Sequence, residues 1–181
     1  MLALAVLVPV VAIVALFAAG LIRTGGRPGG IGVNETLGES TVKAGPAPEL
    51  RVQLLDGRPL ALSDLRGKLV MVDFWSTWCP PCEREAPGLQ QVYEEYRGKG
   101  VEFVGVAIWD DRDDVAKFAG RVKTAYLMAL DDRGKAAVEY GVRGIPEKYF
   151  IGPDGALVRK FIGPMTPADL RGVLDELMAA T

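Results

Sequence analysis

Apolar residues occur along this chain in three rhythms. The first is an unbroken run: from Leu2 to Ile22 every residue is apolar except Pro9 and Gly20, with no charge. At a helical rise of about 1.5 Å per residue the run spans roughly 30 Å, the hydrocarbon thickness of a bilayer. The second rhythm is the short burst rich in β-branched and aromatic residues, seen in Leu69–Trp75 and again in Val101–Ile108. Both read as buried strands. The third is helical spacing: Leu89, Val92, Tyr93 and Tyr96 follow the first burst, and Leu170, Val173, Leu174 and Leu177 lie near the end. Each set marks one buried face of a helix.

Weaker signals fill the gaps. Asp56-Gly57 is a two-residue hairpin turn and predicts strands over 51–55 and 58–62. Residues 63–66 form a short helical turn with Ser63 as its cap and Gly67 as its stop. The acids at 110, 111, 113 and 114 cap a helix through Val115 and Phe118. A strand over 126–130, a helix over 135–140 ended by Gly141, and a hairpin of 148–152 with 156–162 follow. Pro167 then opens the last helix. Strands alternating with helices and ending in a hairpin predict an α/β domain with a mixed sheet and flanking helices. Between the apolar run and this domain, residues 24–48 are crowded with glycine and proline and hold little that could bury a core. The organisation expected is an anchor over 1–22, a flexible tether over 23–45 and one folded domain over 46–181.

The N-terminal run has a rival reading as a cleavable signal peptide. Its basic n-region is missing and its best small-residue site, Ala18-Ala-Gly20, is weak, so length favours an uncleaved single transmembrane helix. No cysteine lies near its end, which excludes a lipoprotein anchor. Arg23 and Arg27 lie after the run; taken alone, the positive-inside rule would keep the domain in the cytoplasm. The 181-residue chain carries a formal net charge of −2, with no basic run and no pairing of aromatics with arginine. Nucleic acid is therefore not an expected partner.

Chemistry concentrates where the first strand meets its helix. Cys79 and Cys82 are the two cysteines of the chain, which has no histidine. A zinc site needs four nitrogen or sulfur ligands, and haem attachment needs histidine after the second cysteine, where Glu83 stands. An inert disulfide remains open, although so small a loop stabilises little. A redox dithiol is the stronger reading. Cys79 falls at the start of the helix, where unpaired N–H groups and the helix dipole favour the thiolate, the reactive form of cysteine. Pro80 and Pro81 have no N–H, so the nearest backbone donor for the Cys79 sulfur is that of Cys82. Cys79 should accordingly be the exposed nucleophile and Cys82, one turn in, the buried resolving thiol. Asp73 lies inside an apolar strand. It reads either as an acid at an exposed edge or as a buried carboxylate that relays the Cys82 proton. Glu85 is either a solvated helical acid or a neighbour that tunes the pair.

Phe74-Trp-Ser-Thr-Trp-Cys-Pro-Pro-Cys-Glu-Arg-Glu-Ala-Pro87 resembles the active-site signature of the thioredoxin-like TlpA/ResA/CcmG (DsbE) family. Tyr140-Gly-Val-Arg-Gly-Ile-Pro146 resembles the thioredoxin segment that carries a cis-proline. The resemblance covers residues 46–178. It implies a thioredoxin-like fold with an N-terminal β-hairpin extension and an inserted helix and strand over 109–131. It also implies a thiol–disulfide oxidoreductase tethered to the bacterial inner membrane through residues 1–22, with its domain on the periplasmic side. Glu85 gains a tuning role from it. Trp78, Ile145, Pro146 and Glu147 become candidates for substrate contact, the Ile145 backbone being free to pair with an extended substrate strand. Asp73 is the thioredoxin residue at a place where many family members have Asn, and Lys148 replaces a common Thr. No cofactor is implied. Expected partners are protein disulfides of apocytochrome c or its handling proteins and a membrane thiol-relay donor. Copper-delivery or oxidase-assembly proteins are alternative substrates, and a non-catalytic thioredoxin-like binding module is the alternative of another class. A peroxiredoxin is disfavoured, because Val72 and Ser76 stand where its Pro and Thr would be.

Overall fold

The computed structural model describes residues 2–24, 31–43 and 45–180. It falls into two units that part between Ile31 and Gly32. The first holds helix α1 (Leu2–Thr24). Side chains of α1 are described over 9–20 alone, so the expected span 1–22 reaches beyond the described residues. Among the described residues no helix is long and apolar enough to cross a membrane.

The second unit is an α/β domain. Its strands are β1 (Gly32–Val33), β2 (Gly38–Ser40), β3 (Gly45–Pro46), β4 (Arg51–Leu54), β5 (Pro59–Ala61), β6 (Leu69–Trp75), β7 (Val101–Ile108), β8 (Leu127–Asp131), β9 (Gly144–Ile145), β10 (Glu147–Ile151) and β11 (Ala156–Ile162). Its helices are α2 (Pro80–Tyr96), α3 (Arg112–Val122), α4 (Lys135–Glu139) and α5 (Pro167–Ala179). The main sheet runs β2-β11-β10-β6-β7-β8-β4-β5, with β3 also on β11. The pairs β6–β7 and β7–β8 are parallel and the rest antiparallel, which makes the sheet mixed. All seven residues of β6 are buried, as expected of a central strand covered on both faces. The predicted hairpin around Asp56-Gly57 is present, and α3 and β8 form the inserted pair.

Helix ends follow the chemistry of their first residues. Asp111 caps α3 by accepting the Asp113 N–H. Thr166 and Asp169 form a reciprocal capping box on α5, with Pro167 at the first helical position. The turn after β5 differs from expectation. It is a 3-10 turn over Leu62–Leu65, and Asp64 rather than Ser63 secures it by accepting the Ala61 N–H at 2.9 Å. Ser63 lies inside the turn, where its side chain cannot cap.

The segment expected to be a loose tether is also different. Residues 25–30 and 44 lie outside the described residues, but β1, β2 and β3 belong to the domain. β1 pairs parallel with β9, while β2 and β3 pair antiparallel with β11. The folded unit therefore begins at Gly32 rather than at residue 46.

Candidate active site

Strand β6 delivers the chain to the cysteine turn, and helix α2 begins immediately after it. Cys79 is the N-cap, with extended backbone (φ −103°, ψ 102°), and its sulfur accepts the Cys82 N–H at 3.4 Å. The donor is the one left available by Pro80 and Pro81. The two cysteines are joined in a disulfide. Both are buried, Cys79 at 0% exposure and Cys82 at 2%, so the expected contrast between an exposed and a hidden sulfur is absent in this state.

The turn ahead of Cys79 is held by one acid just beyond β7. Asp110 accepts from the Thr77 N–H (2.6 Å), the Ser76 hydroxyl (2.8 Å) and the Thr77 hydroxyl (2.9 Å). Trp78 is half-buried and donates its indole N–H to the Trp109 carbonyl at 3.3 Å. Trp75 belongs to the core, its ring against that of Phe118 at 4.8 Å between centroids.

Asp73 is buried, and so is Glu85, which corrects the expectation of a solvated or near-surface Glu85. The cause is Lys148. Its ammonium lies 2.7 Å from Glu85 Oε1 and 3.1 Å from Asp73 Oδ1, and the lysine is itself fully buried. Strand register sets the first pairing, since β10 places Lys148 opposite Asp73 on β6. Glu85, one helical turn after Cys82, completes the row and also accepts the Met165 N–H at 2.8 Å. Burial pushes the Asp73 carboxyl above the usual carboxylate range, against the pull of Lys148. Burial likewise raises Glu85 to about 7, with Lys148 opposing the rise and Asp73 adding to it. For Lys148, burial favours the neutral amine, but the two carboxylates outweigh it and hold the ammonium above its ordinary value. The result is one cation between two acids that titrate as a set. Glu85 also lines a cleft with Pro81, Arg84, Gly88 and Met165.

The Ile145–Pro146 bond is cis, as expected. The other two residues named with it have different surroundings. Glu147 is buried and turned inward. It accepts the N–H groups of Arg143 (3.0 Å) and Gly144 (3.2 Å), meets the Tyr149 hydroxyl (2.9 Å) and pairs with Lys160 (2.7 Å). It braces the loop. The Ile145 backbone is not free: its carbonyl accepts the Asn34 N–H at 2.7 Å. Lys148 and Asp110 in this site, and Asn34 on the loop beside it, had no functional reading from sequence or only an open one. A lysine at a strand position without alternating polarity was the available signal for the first.

A disulfide capping a helix at the end of a central strand, with a cis-proline loop on the neighbouring strand, defines a thioredoxin-fold oxidoreductase site. The chain belongs to the AhpC/TSA family, whose model matches residues 44–160. It is 37% identical over 133 residues to the thiol-disulfide oxidoreductase ResA of Bacillus thuringiensis (strain Al Hakam), covering 72% of this chain and 76% of that one. It is 34% identical over 131 residues to the ResA of Geobacillus thermodenitrificans (strain NG80-2), covering 72% and 75%. Among solved structures it resembles a thiol:disulfide interchange protein of Chlorobium tepidum (TM-score 0.67, 26% identity, 76% and 99% covered). It also resembles a secreted disulfide oxidoreductase of Mycobacterium tuberculosis homologous to DsbE of E. coli (TM-score 0.64, 29% identity, 71% and 96% covered). The protein is a thiol–disulfide oxidoreductase of the ResA/DsbE type, with Cys79 and Cys82 as its CxxC pair.

Proposed function

We propose that this protein reduces protein disulfides outside the cytoplasm, held to the membrane by residues 1–22, and that it serves cytochrome c maturation. The observation that carries the reading is the Cys79–Cys82 pair at the N-terminus of α2, with the row Asp73–Lys148–Glu85 beside it. Asp73 lies on the strand that runs into the cysteine turn and Glu85 one turn beyond Cys82, so the row is fixed to both segments that flank the resolving cysteine.

In the reduced enzyme the Cys79 thiolate attacks one sulfur of a substrate disulfide. That S–S bond breaks, a Cys79–substrate bond forms, and the first substrate thiolate leaves. Cys82 then loses its proton to the carboxylate pair of Asp73 and Glu85, whose shared cation Lys148 opposes the rise that burial gives both acids. The Cys82 thiolate attacks Cys79, the pair closes as the disulfide, and the second substrate thiolate departs. The substrate gains two electrons and the pair loses them, to be restored by a dithiol donor. Glu85 at the cleft passes its proton to water. Trp78 and the Pro146 loop take the contact with substrate.

Support for the anchor comes from α1, where Val10, Val11, Ile13, Val14, Leu16 and Phe17 are all exposed. An apolar surface of this kind suits lipid. An extracytoplasmic place agrees with a relative described as secreted. The substrates proposed are the haem-binding cysteines of apocytochrome c or of the proteins that handle it. Expression of Cys82→Ser in the native cell should trap the substrate as a mixed disulfide on Cys79, whereas Cys79→Ser should trap nothing. Normal turnover by Cys82→Ser would defeat the two-thiol mechanism. Capture of a copper-delivery protein in place of a cytochrome protein would move the enzyme to oxidase assembly.

A further inference from the structure

The edge of the cis-proline loop carries backbone groups that an extended protein segment could pair with, in the manner of strand addition. Here that edge is taken. Asn34 donates its N–H to the Ile145 carbonyl at 2.7 Å, and Gly32 donates to the Arg143 carbonyl at 3.2 Å. The Asn34 amide adds a bond to the Pro146 carbonyl at 3.2 Å. Strand register puts Val33 opposite Ile145.

Local sequence is fitted to this contact. A Cβ on Gly144 would come within 2.7 Å of the Asn34 amide oxygen, so only glycine at 144 admits that side chain undisturbed. Gly163 has φ +94°, and a Cβ there would collide with the Thr36 carbonyl. Glu35 reaches the other way and pairs with Arg84 at 3.2 Å, two residues past Cys82 on α2. One five-residue stretch thus touches the cis-proline loop on one side and the cysteine helix on the other.

We infer that residues 32–36 are a built-in strap: they occupy the place of a substrate strand at Ile145 and must unpair before a protein disulfide can dock. The inference rests on the oxidoreductase reading above. Cys79 is at 0% exposure, so part of the fold must move before it can meet a disulfide held by another protein, and the strap is the neighbouring segment held by replaceable backbone bonds. The strap is also suited to leave. Its hold is a few backbone bonds that an incoming backbone can replace, plus an ion pair whose side chains are 65% and 64% exposed and whose net contribution is small.

The test uses the full-length protein in detergent. Asn34→Pro removes both the N–H and the side-chain donor; Glu35→Arg, at an exposed position, sets two like charges against each other and spares the fold. After reduction, iodoacetamide alkylation of Cys79 should run about two- to tenfold faster in Asn34→Pro, the equivalent of losing one or two hydrogen bonds, and less so in Glu35→Arg. The KM for insulin disulfides should fall by a similar factor with kcat unchanged. Alkylation at the wild-type rate in both variants overturns the strap, whatever the turnover. Absence of insulin reduction by the wild type would overturn the reductase reading instead, with the alkylation rates still deciding the strap.

Discussion

Lys148 on β10 and Glu85 on α2, 63 residues apart in the chain, meet at 2.7 Å where neither side chain is more than 3% exposed. Replacing one partner of a buried ion pair costs about 3–5 kcal/mol, because the other is left charged without water or a counter-ion. Here one lysine serves two carboxylates, and its removal strands both.

Asp73→Asn and Lys148→Met should therefore shift the titration of Glu85 in opposite directions. Asp73 helps to raise Glu85 and Lys148 opposes the rise, so the first substitution lowers its pKa below about 7 and the second lifts it further. The acid limb of the resolving step should follow, moving to lower pH in Asp73→Asn and to higher pH in Lys148→Met. Single-turnover reduction of a model disulfide across pH measures both, with the resolving rate also slower in Asp73→Asn. Movement of the two limbs in the same direction would remove the row from the proton path.

Stability should decline as pH rises through the acid-to-neutral range. Glu85 has a folded-state pKa of about 7 against an ordinary 4.5, so the folded state holds the proton more tightly than the unfolded chain. That contribution is complete below 4.5 and is lost as pH climbs through about 7. Glu85→Gln cannot titrate and should flatten this slope. Urea denaturation of the oxidised protein at pH 4.5, 6 and 8 tests it, and an equal slope in Glu85→Gln would assign the effect to other groups.

Asp110→Ala should loosen the turn that presents Cys79. The substitution leaves the Thr77 N–H and hydroxyl without their acceptor, while the Ser76 hydroxyl keeps the Ile108 carbonyl at 3.0 Å, so the loss is about 1 kcal/mol for half-buried donors. Chemical denaturation should record that loss, and insulin reduction should slow with it. Asp110→Asn keeps one acceptor oxygen and should recover part of both.

What sequence disclosed and what it hid divide along physical lines. The strand into the cysteines, the helix out of them and the inserted pair α3–β8 carry side-chain periodicity, and all were legible. So was the burial of Asp73, because an acid flanked on both sides by core residues is carried into the core with them. Its partner was not legible: the meeting with Lys148 depends on the register of β10 against β6, which no local pattern states. The burial of Glu85 was left open for the same reason, its cation being distant in sequence. The segment 32–46 looked like tether because β1, β2 and β3 pair through backbone groups, and backbone pairing leaves no mark in a glycine-rich sequence.

The short strands on β11 have a consequence for how the domain behaves among other proteins. An open sheet edge is a template for aggregation, since any extended chain can satisfy its unpaired amides and carbonyls. β2 and β3 cover the outer side of β11, and the opposite end of the sheet is a three-residue strand, β5, that opens on Pro59. A domain with both sheet ends covered in this way is guarded against adding an extended chain along its sheet. On the function proposed above, a substrate is left the cis-proline loop, where engagement ends when the disulfide has been exchanged.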